Sequence, residues 1–172
     1  MNIVLEQIKS KIVTESDLLK KVNHFRIKSE TIVFTNGCFD LLHLGHVTYL
    51  AKAASLGSKL IVAINSDFSV RGLNKGALRP LQDEHSRAMI MASLQVVSLV
   101  VIFNDETPLE LIKLIQPNVL AKGGDWEVEK IVGYNEVKAS GGTVVSIPLE
   151  LGHSTTNIEK KIADGVTKGT LK

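Results

Sequence analysis

The residues able to do chemistry in this chain gather in a few short clusters of histidines, hydroxyls and glycines. The densest is Asn36-Gly37-Cys38-Phe39-Asp40-Leu41-Leu42-His43-Leu44-Gly45-His46. Histidines three apart fall on one face of a helical turn. Imidazoles at a helix start, beside free backbone N–H groups and the positive end of the dipole, suit a phosphate. In phosphoryl or nucleotidyl transfer, charge builds up on the non-bridging oxygens and on the leaving pyrophosphate. Donors fixed there favour the transition state over the ground state. Gly45 leaves space for a ligand to approach the backbone. A pair of structural histidines, or half of a metal site, would look the same, although no second cysteine supports a metal.

Ser154-Thr155-Thr156 is a second cluster, three hydroxyls at a helix start. They can cradle an anion beside orphan N–H groups, while ordinary N-capping accounts for one of the three. In Lys122-Gly123-Gly124-Asp125-Trp126, Asp125 either accepts hydrogen bonds from a ribose, a base or a metal-bound water, or is a surface residue of a turn. Trp126 packs on a base or covers the core, and core packing is the default for a lone tryptophan. Arg71, Lys75, Arg79 and Arg87 surround a long glycine-containing segment, 66–82; they form a solvated basic loop or a cover over a phosphate site. Asp40 and Asp67 each follow a strand-like run.

The elements that must position these residues alternate. Thr31–Thr35, Leu60–Ile64, Leu99–Phe103, Val119–Ala121 and Thr143–Ile147 read as five strands, apolar on both faces. Helical spacing runs from Leu5 to Phe25 with a break near Thr14, and again over 45–56, ending at Gly57 as a C-terminal cap. Further helices are expected over 83–96 and 128–139. Another opens at Thr107-Pro108-Leu109-Glu110 with an N-cap threonine, and a last one runs from a Thr156/Glu159 capping box to about Ile162. The pattern predicts an α/β, Rossmann-like five-stranded parallel sheet with helices on both faces, plus an N-terminal helical extension over 1–28. The main domain would cover 29–164, with a disordered tail over 165–172. The chemical clusters follow strands, so they share the sheet edge where ligands of open α/β folds bind.

Bulk properties exclude several functions. The 172 residues suit one full-sized core, and a net charge of +2 is too small to argue for nucleic acid or an anionic membrane. The absence of any run of eighteen apolar residues or of a signal-like start predicts a cytoplasmic chain with no membrane partner. Cys38 is the only cysteine, which excludes an internal disulfide.

Together, Gly37-Cys38-Phe39-Asp40-Leu41-Leu42-His43-Leu44-Gly45-His46 and Gly152-His153-Ser154-Thr155-Thr156-Asn157-Ile158 resemble the two signatures of the cytidylyltransferase-like nucleotidyltransferases. The resemblance covers about residues 30–162. Phe34 to Asp40, Thr107 to Ile112, Lys122 to Trp126 and Ile131-Val132-Gly133 are more similar to the branch that adenylates D-glycero-β-D-manno-heptose 1-phosphate for the lipopolysaccharide core. Glycerol-3-phosphate cytidylyltransferases and FAD synthetase-like adenylyltransferases share the same chemistry and stand as alternatives. The resemblance implies catalytic roles for His43 and His46. It implies a nucleotide pocket at Cys38, Phe39, Asp125, Ser154, Thr155 and Thr156, and phosphate contacts from Lys75 and Arg87. ATP and a sugar phosphate would be the substrates, Mg²⁺ would accompany the ATP with no metal-ligating residues of the chain's own, and a homodimer is an assembly common among such proteins. A sugar-kinase domain, to which this branch is often fused, has no room in 172 residues, so a stand-alone domain is expected. Where the family often has Val-Asp before the third strand, this chain has Val97-Ser98.

Overall fold

The computed structural model describes residues 3–73, 76, 78–150 and 152–170. Among the described residues six parallel strands form one sheet: β1 (Ile12–Val13), β2 (Ile32–Gly37), β3 (Lys59–Asn65), β4 (Leu99–Phe103), β5 (Val119–Gly123) and β6 (Thr143–Ile147), in spatial order β1-β4-β3-β2-β5-β6. Side chains alternate across the sheet. Ile32, Phe34, Ile61, Ala63, Leu99, Val101 and Phe103 enter one apolar layer, and Val33, Leu60, Val62, Ile64 and Val100 enter the other. Helices α2 (Glu15–Ile27), α6 (Leu109–Ile115) and α7 (Tyr134–Ala139) seal the first layer through Leu18, Val22, Leu111, Ile112, Ile115 and Val137. Helices α3 (Leu44–Ala54) and α5 (Glu84–Ser93) seal the second through Tyr49, Leu50, Ala53, Ala88, Met91 and Ala92. Helix α1 (Ile3–Lys9) adds Ile8 to that layer.

The expected five strands are all present, and the sixth is β1. It pairs Ile12 and Val13 with Val100 and Val101 at the sheet edge. Two residues inside a helix-like stretch are too few to register as alternation. The helical break near Thr14 is real: Thr14 caps α2, its hydroxyl accepting from the Asp17 N–H at 3.3 Å. The N-terminal segment is therefore not purely helical.

Other expectations are corrected. Gly57 is no left-handed cap, because α3 ends at Ser55 in right-handed geometry. A Cβ at position 57 would lie 2.6 Å from the Thr31 carbonyl oxygen, so Gly57 permits the chain to pass close to β2. The 128–139 helix is split into a short 3₁₀ turn over 128–130 and α7, because Gly133 sits at φ 90°. Helix α6 starts without a side-chain cap from Thr107. Helix α4 (Asp67–Gly72) lies within the segment read as a loop. Helix α8 (Thr155–Thr167) is capped by Ser154, not Thr156, and runs past Ile162.

The strand order reverses at β2, which has β3 on one side and β5 on the other. The chain thus leaves a crevice beyond the C-terminal ends of β2 and β5, where loops diverge to opposite sides. Tyr49 ties α3 across that crevice. Its hydroxyl meets Thr35 Oγ1 of β2 and donates to the Ala121 carbonyl of β5 at 3.1 Å, and burial pushes its pKa up to about 12.

Candidate active site

The turn from β2 into α3 carries the first cluster. Phe39 adopts a left-handed backbone, φ 49°, which reverses the chain after Gly37 and Cys38. Asp40, 3 % exposed, then fixes a second segment. Its carboxylate accepts from the Leu81 and Gln82 N–H groups, each at 2.9 Å, and from Arg79 Nη1 at 3.0 Å. Burial alone would raise the Asp40 pKa, but these donors outweigh it and hold the group below the usual carboxylate range.

His43 is the N-cap residue of α3 and makes no side-chain capping bond. Its ring stacks on His46 with centroids 3.8 Å apart and planes at 23°. Phe39 meets His46 edge-on at 5.2 Å. The Nδ1 atoms of both imidazoles are buried without a hydrogen-bond partner. Burial, then the adjacent His43, lower the His46 pKa to about 4, with the Leu41 carbonyl pulling the other way. His43 is lowered too, by burial and by nearby His153. What approaches Gly45 closely is not open space but the His153 carbonyl and the His43 ring, each 3.1 Å from where a Cβ would stand. The two clusters, more than a hundred residues apart in sequence, meet there.

A two-lobed cleft opens at this meeting point. The larger lobe, about 550 Å³, is bounded by Asp40, His46, Arg79, Gly123, Thr155 and Thr156, among others. The smaller, about 280 Å³, is bounded by Asn65, Leu73, Glu106, Pro108, Lys130 and Val132, among others. Asn36, Gly37, Cys38, Lys122 and Trp126 line both, so they form the wall between the lobes. Lys122 Nζ donates to Asn36 Oδ1 at 3.2 Å, bridging the ends of β5 and β2.

The expected site residues divide into groups. His46, Cys38, Phe39, Thr155 and Thr156 come together on the larger lobe. His43 stands behind His46, and Ser154 is spent as a cap, accepting from the Asn157 N–H at 3.1 Å. Asp125 is exposed and lines neither lobe; Lys122 and Trp126 line both. Trp126 is 51 % exposed, against the core-packing expectation, with its Nε1 donating to the Gly123 carbonyl at 2.9 Å. Arg87 is fully buried, and its guanidinium binds the Gln82 carbonyl, the Cys38 carbonyl and the Asp67 carboxylate at 2.7–3.0 Å. It holds the loops in place and offers no exposed surface to a phosphate. Lys75 lies outside the described residues. The sequence did not single out Asn36 and Lys122 as wall residues, and it placed Arg79 only in a basic segment, solvated or covering a phosphate site, without its partners Asp40 and Glu159.

A parallel α/β sheet with imidazoles and hydroxyls gathered at two helix tips beyond its switch point defines the class of nucleotide-transferring and nucleotide-binding α/β proteins. Residues 34–161 match the Cytidylyltransferase-like family, and the chain belongs to that family. It is 50 % identical over 152 residues to the bifunctional protein HldE of Koribacter versatilis, covering 88 % of this chain and 31 % of that protein. With the HldE of Geotalea uraniireducens it shares 52 % over 143 residues, 83 % of this chain and 29 % of the relative. The chain thus spans about a third of the length of these relatives. Among solved structures it is similar to a lipopolysaccharide core biosynthesis protein from Thermoplasma volcanium, with a TM-score of 0.59, 26 % identity, and coverage of 70 % of this chain and 97 % of that one. The pantoate–beta-alanine ligase of Francisella tularensis shares the fold alone, with a TM-score of 0.55, 17 % identity, and coverage of 91 % and 77 %.

Proposed function

We propose that the protein adenylates a sugar 1-phosphate, joining ATP to D-glycero-β-D-manno-heptose 1-phosphate to give ADP-heptose and pyrophosphate for lipopolysaccharide core assembly. The observation that carries this reading is the convergence of His46, Thr155 and Thr156 on one lobe of a cleft at the switch point. The likeness to HldE proteins and to a lipopolysaccharide core biosynthesis protein supports the choice of sugar.

In this reading the triphosphate occupies the larger lobe and the sugar phosphate the smaller. The wall they share, Asn36 to Cys38 and Lys122, is then where the new bond forms. An anionic oxygen of the sugar phosphate attacks the α-phosphorus in line. The bond from that phosphorus to the α–β bridging oxygen breaks, and pyrophosphate leaves with the electron pair. The nucleophile is already ionised, so no general base is needed; positioning and charge stabilisation supply the rate. His46 donates to the oxygens on which charge grows, Thr155 and Thr156 hold the outgoing phosphates, and His43 supports the His46 ring. Mg²⁺ enters as part of the ATP substrate. Among the described residues no group of His, Cys, Asp and Glu could hold a metal ion. Asp40 is already taken up by its three donors, so phosphate oxygens and water would be the ligands. A cytoplasmic homodimer belongs to the same reading. No helix among the described residues is long and apolar enough to cross a membrane.

Pyrophosphate release measured with ATP plus heptose 1-phosphate, against CTP plus glycerol 3-phosphate, tests the assignment. Turnover with the second pair alone would replace it. His46→Ala is expected to lower kcat by about two to four orders of magnitude in a folded protein.

A further inference from the structure

Arg79 has two ionic partners of unequal kind. Nη1 binds Asp40 at 3.0 Å and Nη2 binds Glu159 of α8 at 2.9 Å. The Asp40 side chain is 2 % exposed and is also held by two backbone N–H groups, so it anchors the guanidinium. Glu159 is 38 % exposed and can turn to water while the inner pair stays whole. Arg79 also lines the larger lobe, together with His46, Thr155 and Thr156. Glu159 follows Thr156 by three residues and Thr155 by four, which sets it on the same face of α8, one turn further on. Glu159 thus ties the outer edge of the guanidinium to the helix that carries the two threonines. The sequence suggested a different task for Glu159, a capping box with Thr156, but Ser154 caps that helix and Glu159 is turned to Arg79.

We infer that Arg79 is a ligand of the nucleotide's β- and γ-phosphates, and that Glu159 occupies its outer donor edge until the nucleotide arrives. Guanidinium binds carboxylate and phosphate with the same forked geometry. A triphosphate brings several negative charges to a donor that a single half-exposed carboxylate holds weakly. The exchange releases Glu159 and leaves Arg79 on Asp40, so the signature turn and the phosphate tail become joined through one side chain. The inference rests on the proposed nucleotide site and adds a residue to it.

Calorimetric titration of ATP and AMP into wild type, Glu159→Gln and Arg79→Lys tests it, with thermal melting to confirm folding. Glu159→Gln removes the competing charge while keeping size and leaving Asp40 untouched. The expected result is ATP binding about three- to tenfold tighter, with AMP unchanged, because AMP lacks the phosphates concerned. Arg79→Lys is expected to weaken ATP about tenfold or more, again sparing AMP. Unchanged or weaker ATP binding by Glu159→Gln, or equal effects on ATP and AMP, would overturn the role of Arg79 and leave the proposed function standing. Failure of wild type to bind either nucleotide would overturn both.

Discussion

At His46 the cost of burying a charge opposes the charge that an anionic ligand would favour. With its pKa near 4 the imidazole is neutral at pH 7, and burial lowers the pKa of the His43 ring stacked against it as well. An unfolded histidine protonates near pH 6.5, so between about 6.5 and 4 the unfolded chain binds a proton that the folded one refuses. Stability from this site is complete above that window and is lost as pH falls through it. Urea unfolding at pH 7 and pH 5 checks the sign: His46→Asn should lose less stability on acidification than wild type does. An equal loss in both proteins would show that burial of His46 does not govern that slope. ATP should act in the opposite sense, moving the imidazole titration upward in an NMR experiment, because a phosphate stabilises the charged ring. The histidines and threonines were legible in the sequence because residue type and helix-start position suffice to suggest an anion site. Arg79 and Lys122 were not, since their places depend on contacts with Asp40 and Asn36 made across long stretches of chain. Asp125 and Trp126 exchanged their expected surroundings for a local reason. Gly124, at φ 121°, turns the backbone just before them, and no residue-type rule says which of the two then borders the cleft.

Among the elements, strands were easier to read than helix ends. The five main strands are short apolar, β-branched runs bounded by polar turns, so composition and punctuation agree. Helix ends depend on which of several adjacent hydroxyls reaches a free N–H. That choice went to Ser154 in α8, and to no side chain at all in α6. Gly57 shows the same limit: a glycine after a helix suggested a cap, whereas its actual service is clearance beside β2. Gly57→Ala should therefore destabilise the protein by about 1–3 kcal/mol through crowding of the Thr31 carbonyl and the Val33 side chain, measured by chemical denaturation. A change below half a kcal/mol would show that the β2 backbone can yield there.

For the molecule as a whole, the N-terminal segment closes one border of the sheet. Strand β1 covers the outer edge of β4, and without it Val100, whose N–H donates to the Lys11 carbonyl at 2.8 Å, would present unpaired backbone groups in an apolar strand. Removing residues 1–13 should promote self-association through that edge, seen by light scattering as mass growing with concentration. Retention of the wild-type mass would mean that α5 and its neighbours protect β4 unaided. Both ends of the segment between β3 and α5 are tied down as well. Asp67 near its start and Gln82 near its end converge on buried Arg87, which also grips the Cys38 carbonyl, while Asp40 holds Leu81 and Gln82. For protein engineering this makes the stretch a poor cassette. A chimera that imports it from a relative to change which substrate is accepted must carry its matching Cys38–Asp40 turn and Arg87 along, or the graft will disturb the very histidines it was meant to serve.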